Sequence, residues 1–131
     1  MQFLCFGYLD EKKWATLSPG EQNDMIDRCF SFDEVLKKEG HWAWGNGIQG
    51  PEHCATLQFK DGKVVVTDGP YAETKELLGG LLVLEAQDRA QAIQLISRHP
   101  GVQMGRWEIR PVQDITPMVR ESEQRRAAKK K

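Results

Sequence analysis

The residues best suited to chemistry stand together in one run, Thr67-Asp68-Gly69-Pro70-Tyr71-Ala72-Glu73-Thr74-Lys75-Glu76. A turn needs only its Asp, Gly and Pro, which fix a tight local geometry. The further density of Tyr71, Glu73, Thr74, Lys75 and Glu76 ahead of a double glycine is a surplus that points to function. Asp68 becomes a general base if a cavity strips its water and raises its pKa, or it simply bonds the backbone of its own turn. Glu73 and Lys75 are candidates for binding a ligand or passing it a proton. Their bland alternative is a solvated pair, which stabilises a fold by only about 0–1 kcal/mol. Tyr71 and Thr74 would offer hydroxyls to a ligand, although a tyrosine more often packs its ring and leaves the hydroxyl wet.

Outside that run the candidates are fewer. Trp42 and Trp44 alternate beside Gly45 and Gly47, so both rings are expected on one side of a strand, as core or as a pocket wall in which Trp44 touches ligand. His53, between Glu52 and Cys54, is a further ligand-binding candidate and could approach a metal together with His41. Two histidines and one cysteine without ligand spacing point instead to a surface histidine, and no metal is expected. His99 opens His99-Pro100-Gly101 and is read as structural, since a histidine near a helix C-terminus interacts favourably with the dipole.

These residues need elements to hold them. Gln2 to Tyr8 is apolar on nearly every residue, the pattern of a strand buried on both faces. After a loop containing Trp14, Ser18-Pro19-Gly20-Glu21 combines an N-cap, a proline at the first helical position and a capping-box glutamate. The helix it opens carries Met25, Cys29, Phe32 and Leu36 on one stripe, with Ile26 and Phe30 alongside. Asp27, Asp33, Glu34 and Lys37 are expected to face away, and Gly40 ends the helix. Trp42 to Ile48 reads as a strand whose glycines mark a bulge or a close approach, where room is needed. Asp61-Gly62 joins two β-rich runs as a hairpin. Leu77 to Ala86 is another buried strand, Asp88 caps a second helix with Gln91 as its capping-box partner, and Arg106 to Val112 is a half-buried strand whose Pro111 belongs at an edge. Two main helices and about six strands in this order predict an α+β fold with a ferredoxin-like antiparallel sheet and the helices on one face. The first strand is apolar on both faces, Phe3 and Cys5 on one and Leu4 and Phe6 on the other, while two helices cover only one, so sheet-to-sheet homodimerisation is expected.

Composition sets the outer bounds. The 131 residues suit one domain, 40% hydrophobic and 28% charged, which excludes fibrous, disordered and membrane-spanning classes. The apolar start Met1-Gln2-Phe3-Leu4-Cys5-Phe6 has no basic residue before it and no cleavage site after it, so no secretory signal is expected. Three scattered cysteines, Cys5, Cys29 and Cys54, form no disulfide framework, and a cytoplasmic location is the expectation. The net charge of −1 hides an imbalance: Arg120 to Lys131 carries six basic and two acidic residues, and the rest carries 12 basic against 17 acidic. A charged terminal run of this kind is read as a solvated, frayed end. Without a basic stripe interleaved with aromatics, nucleic acid is not expected as a partner.

The run Val66-Thr67-Asp68-Gly69-Pro70-Tyr71-Ala72-Glu73-Thr74-Lys75-Glu76, followed by Leu78-Gly79-Gly80, resembles the signature of the DGPF or YCII-related proteins. Supporting matches extend from the first strand through Leu17-Ser18-Pro19 and His99-Pro100-Gly101 to Glu108-Ile109-Arg110-Pro111-Val112, so the resemblance implies a domain over residues 1–112 with 113–131 as a charged tail outside it. Tyr71 stands where that family usually has Phe, and Leu81-Leu82 where it often has aromatics. The resemblance implies a dimeric α+β barrel, a sigma-factor-linked regulatory setting for some members, and in the wider superfamily a His and Asp acid–base pair. The first helix of this chain contains no histidine. Two functions are therefore weighed: a homodimeric module holding a small polar ligand or regulatory partner near Asp68 to Glu76, and a small enzyme, free of cofactors, that uses Asp68, Glu73 or Lys75 for lyase- or isomerase-like proton transfer.

Overall fold

Alternation along β1 (Gln2–Leu9) sends Phe3, Cys5 and Gly7 to one face and Leu4, Phe6 and Tyr8 to the other. In the computed structural model, which describes residues 1–72 and 74–130, the first set is buried and the second half-buried. β1 lies between two antiparallel neighbours, β5 (Leu77–Glu85) and β6 (Trp107–Pro111). β2 (Trp42–Gly47) pairs with the far side of β5, giving the order β2-β5-β1-β6. Proline-ended β6 is thus an edge strand, as Pro111 requires. Two helices, α2 (Pro19–Lys38) and α3 (Arg89–Ser97), cover the Phe3/Cys5 face. Leu36, Ala92, Leu95 and Ile96 close on Phe3, Cys5, Leu82 and Leu84 to form the core. The result is a ferredoxin-like α+β fold with one interruption, the hairpin of β3 (Ala55–Lys60) and β4 (Lys63–Asp68) placed between β2 and β5.

Local chemistry sets the boundaries of these elements. Ser18 Oγ accepts the Glu21 N–H at 3.1 Å while the Glu21 carboxylate accepts the Ser18 N–H at 2.9 Å, a complete capping box. Gly40, at φ +81°, takes the left-handed step that ends α2. Asp88 accepts the Gln91 N–H, but the Gln91 amide oxygen takes the N–H of Gln87 rather than that of the cap itself. Asp61 and Gly62 both have positive φ, as a two-residue hairpin turn needs.

Two segments differ from the sequence expectation. The loop containing Trp14 holds a short helix, α1 (Glu11–Ala15), because Asp10 accepts the N–H groups of Lys12 and Lys13. The tail expected to fray forms α4 (Thr116–Lys129), opened by Asp114 bonding Thr116 and running through residues of good helix propensity. None of its residues is buried. No helix among the described residues is long and apolar enough to cross a membrane.

Candidate functional site

Gly7, Gly80 and Gly47 are directly opposite one another on β1, β5 and β2. Cross-strand partners share a face, so three neighbouring strands lose their side chains at one level of the sheet. That missing volume becomes a cavity of about 700 Å³ between the sheet and α2, floored by these glycines with Gly45 and Gly79. Its walls are largely apolar and aromatic, with Trp14, Phe30, Trp42 and Trp107 around the floor. Part of the space is filled by design of the sequence: a Cβ on Gly7 would stand 2.8 Å from the Trp107 ring, so glycine there lets the indole lie flat.

One polar pair lies in this apolar setting. Asp33, on α2, places Oδ1 3.2 Å from His99 Nε2; the His99 side chain is 6% exposed and that of Asp33 16%. The Gly101 N–H points at His99 Nδ1 at 3.0 Å. A backbone N–H can only donate, so Nδ1 accepts, Nε2 carries the hydrogen, and that hydrogen is donated to Asp33. Trp107 packs against the ring at 4.6 Å between centroids and Phe32 meets it edge-on at 5.4 Å. The histidine is thereby held by both nitrogens and two aromatic neighbours. Among the described residues no hydrogen bond is made to the second carboxylate oxygen of Asp33, and the side chain lines the cavity.

Cys29, one turn earlier on α2, also lines the cavity. Burial raises its thiol pKa, and the negative charge of Asp33 raises it further. A thiol held protonated is a poor nucleophile. At the mouth, the Lys37 ammonium lies 4.9 Å from the centre of the Trp42 ring and 3.4 Å from Glu34.

The sequence candidates fall elsewhere. Asp68, Tyr71, Thr74 and Lys75 are exposed, Tyr71 at 89%, and none lines the cavity; Glu73 lies outside the described residues. The segment is pinned at its base, where Thr56 Oγ1 donates to the Gly69 carbonyl, the Gly69 N–H donates to Cys54 and Glu76 accepts the Arg106 N–H. His53 is exposed beside Glu52, and His41 bonds the Glu85 carbonyl. Trp42 and Trp44 do not share a side. A bulge at Ala43 pairs Trp42 with Leu84 and Trp44 with Val83, so Trp42 enters the cavity while Trp44 points to the opposite face. The expectation that Asp33 faces solvent is also corrected. It lies eight residues after Met25, on the same buried stripe as Cys29, Phe32 and Leu36, and the signal was an acid inside an apolar helical face. His99, read as a helix-ending residue, is buried and faces that acid.

A four-stranded antiparallel sheet with two helices on one face, enclosing a cavity with a paired Asp and His, defines a ferredoxin-like α+β protein with a helix-side pocket. The sequence model of the YCII-related domain matches residues 1–116, and the chain belongs to this family. A protein of Rhizobium meliloti (strain 1021), described only as uncharacterised, is 25% identical over 116 residues, 86% of this chain and 92% of that protein. Among solved structures, the 5-chloro-2-hydroxyhydroquinone dehydrochlorinase of Burkholderia phenoliruptrix AC1100, in complex with 2,5-dihydroxybenzoquinone, has a TM-score of 0.51 at 16% identity. That match covers 86% of this chain and 94% of the dehydrochlorinase chain.

Proposed function

We propose that this chain is a small acid–base enzyme whose working group is Asp33, aimed into the helix-side cavity and positioned by His99. The observation that carries the reading is the hydrogen-bond order Gly101 N–H to His99 Nδ1, His99 Nε2–H to Asp33. It fixes one carboxylate oxygen and leaves the other to accept a proton from a bound molecule, the arrangement general-base catalysis needs. An apolar cavity with a flat glycine floor and aromatic walls suits a small planar molecule bearing one acidic hydroxyl or carbon-bound hydrogen. The fold relative that acts as a dehydrochlorinase and binds 2,5-dihydroxybenzoquinone makes dihydroxylated rings the first class to try. A homodimer formed through the sheet face of Leu4 and Phe6, cytoplasmic and independent of cofactors, is part of the same proposal.

A second reading keeps the function in Asp68 to Glu76, as a binding surface for a small polar ligand or regulatory partner; its support is the exposed, backbone-pinned run of polar groups. Thermal unfolding with 2,5-dihydroxybenzoquinone separates the two. At a hundredfold excess over Kd a ligand stabilises the folded chain by about 2.7 kcal/mol. The enzyme reading expects that gain in the wild type and in Asp68→Asn, and its loss in Asp33→Asn. Loss in Asp68→Asn with retention in Asp33→Asn would move the site to the exposed segment.

A further inference from the structure

Glycine weakens a strand, because it costs backbone entropy and packs no side chain, so each glycine on the cavity floor needs a reason. Gly7, Gly45 and Gly79 have one within the fold. A Cβ on Gly7 would meet the Trp107 ring at 2.8 Å, and a Cβ on Gly45 would run into the Trp42 ring, so these two let an indole lie on the backbone. Gly79 falls in the register shift between β1 and β5, where Gly7 pairs with Gly80 and Tyr8 with Leu78 and the residue between is left unpaired. Gly80 and Gly47 have no such reason. Neither has positive φ. Among the described residues, a Cβ on Gly80 would find only the Asn46 carbonyl oxygen, at 3.6 Å, and one on Gly47 only the Gly79 carbonyl oxygen, at 3.8 Å, both ordinary contacts. The fold would accept alanine at either position, yet both are bare, directly opposite each other on adjacent strands and on the wall of the cavity.

We infer that Gly80 and Gly47 set the specificity of the cavity, as the seat on which the flat face of one unsaturated six-membered ring lies. The seat deepens the proposed function and rests on its placing of the ligand in this cavity. A strand glycine is where another group can approach the backbone closely. Adjacent strands stand about 4.8 Å apart, so two opposed glycines bare roughly the breadth of a single ring. The seat has an indole on either side. Trp107 covers Gly7, the partner of Gly80 on β1, and Trp42 covers Gly45, two residues before Gly47 on the same face of β2. A puckered ring would rest on its axial hydrogens and hold its carbons off the backbone, and dispersion falls steeply over such a gap. A flat ring keeps every atom in contact, so the seat selects for planarity as well as for size.

Gly80→Ala adds one methyl to the seat without a steric conflict. It is expected to melt no lower than wild type, since it removes a strand glycine. By isothermal titration calorimetry it should bind 2,5-dihydroxybenzoquinone and 1,4-dihydroxybenzene about tenfold more weakly, a loss of about 1.4 kcal/mol, and Gly80→Val should not bind them. Wild type is expected to prefer 1,4-dihydroxybenzene by about tenfold over 1,4-cyclohexanediol, which carries the same two hydroxyls on a puckered ring, and Gly80→Ala to narrow that preference. The variants separate the seat from the acid–base reading. Binding lost in Gly80→Ala but kept in Asp33→Asn supports the seat and removes Asp33 as the group that meets the ligand. Binding lost in Asp33→Asn but unchanged in Gly80→Ala overturns the seat alone. The seat is also overturned by a Gly80→Ala chain that melts well below wild type, which would make glycine there a demand of the fold. A wild type that binds neither flat ring, or takes the saturated diol equally well, overturns it too.

Discussion

At the scale of the residue, the site is decided by which atoms are already spoken for. Both ring nitrogens of His99 are engaged, one by Asp33 and one by the Gly101 N–H, so in the function proposed above His99 is the positioning residue and Asp33 the group that would meet a ligand. Asp33 also acts on its neighbour. The Cys29 thiol is raised first by burial and then by the Asp33 charge, whereas burial alone pushes Cys5, under both helices, up to about 12. Removing the Asp33 charge lowers the Cys29 pKa and increases its thiolate fraction at any pH below that pKa. Asp33→Asn is therefore expected to alkylate at Cys29 severalfold faster than wild type with iodoacetamide at about pH 8, near the ordinary thiol pKa of about 8.5, as followed by mass spectrometry. Cys5 should remain unlabelled until the chain unfolds. Equal Cys29 rates in the two proteins would mean that the carboxylate does not face the thiol.

At the scale of the element, α2 serves two purposes: its stripe closes the core through Leu36 and carries Cys29 and Asp33 into the cavity. Its start is fixed by the Ser18–Glu21 box. Ser18→Ala should cost about 1 kcal/mol, typical of a lost N-cap, and lower the thermal midpoint by a few degrees. The Ser18 N–H, followed by its hydroxyl, holds the Glu21 carboxyl below its usual range. A folded-state pKa depressed in this way stabilises above the unfolded value and is lost as pH falls through the folded one. The gap between wild type and Ser18→Ala should consequently narrow in acid, below the ordinary carboxylate range; a gap that widens there would contradict the capping box. The bulge in β2 matters equally, because one extra residue at Ala43 turns Trp42 inward and Trp44 outward.

For the whole molecule, the helices leave one sheet face and one hairpin face uncovered, and the C-terminal helix buries none of its residues. The family match ends at residue 116, where α4 begins. A chain ending at Asp114 is expected to melt within about 0.5 kcal/mol of the full-length protein, the usual range for changes that remove no buried contact. A larger loss in a concentration-dependent melt would assign α4 to the interface between copies. The domain boundary that the family resemblance implies near Val112 is tested by the same measurement.

The sequence by itself determined the elements whose signals are local. The capping box of Ser18, the glycine stop at Gly40, the Asp61-Gly62 turn and the unbroken apolar run of β1 each reflect interactions within a few residues, and they led to the ferredoxin-like order. Room near Gly45 and Gly47 was also legible. Only the tertiary structure aligned Gly7, Gly80 and Gly47 across three strands, because strand register depends on the whole sheet. The same holds for Asp33 and His99, 66 positions apart and joined by the packing of α2 against the turn after α3. A histidine beside a proline and an acid on a helix look ordinary alone; their meaning lies in a long-range contact that no local periodicity encodes.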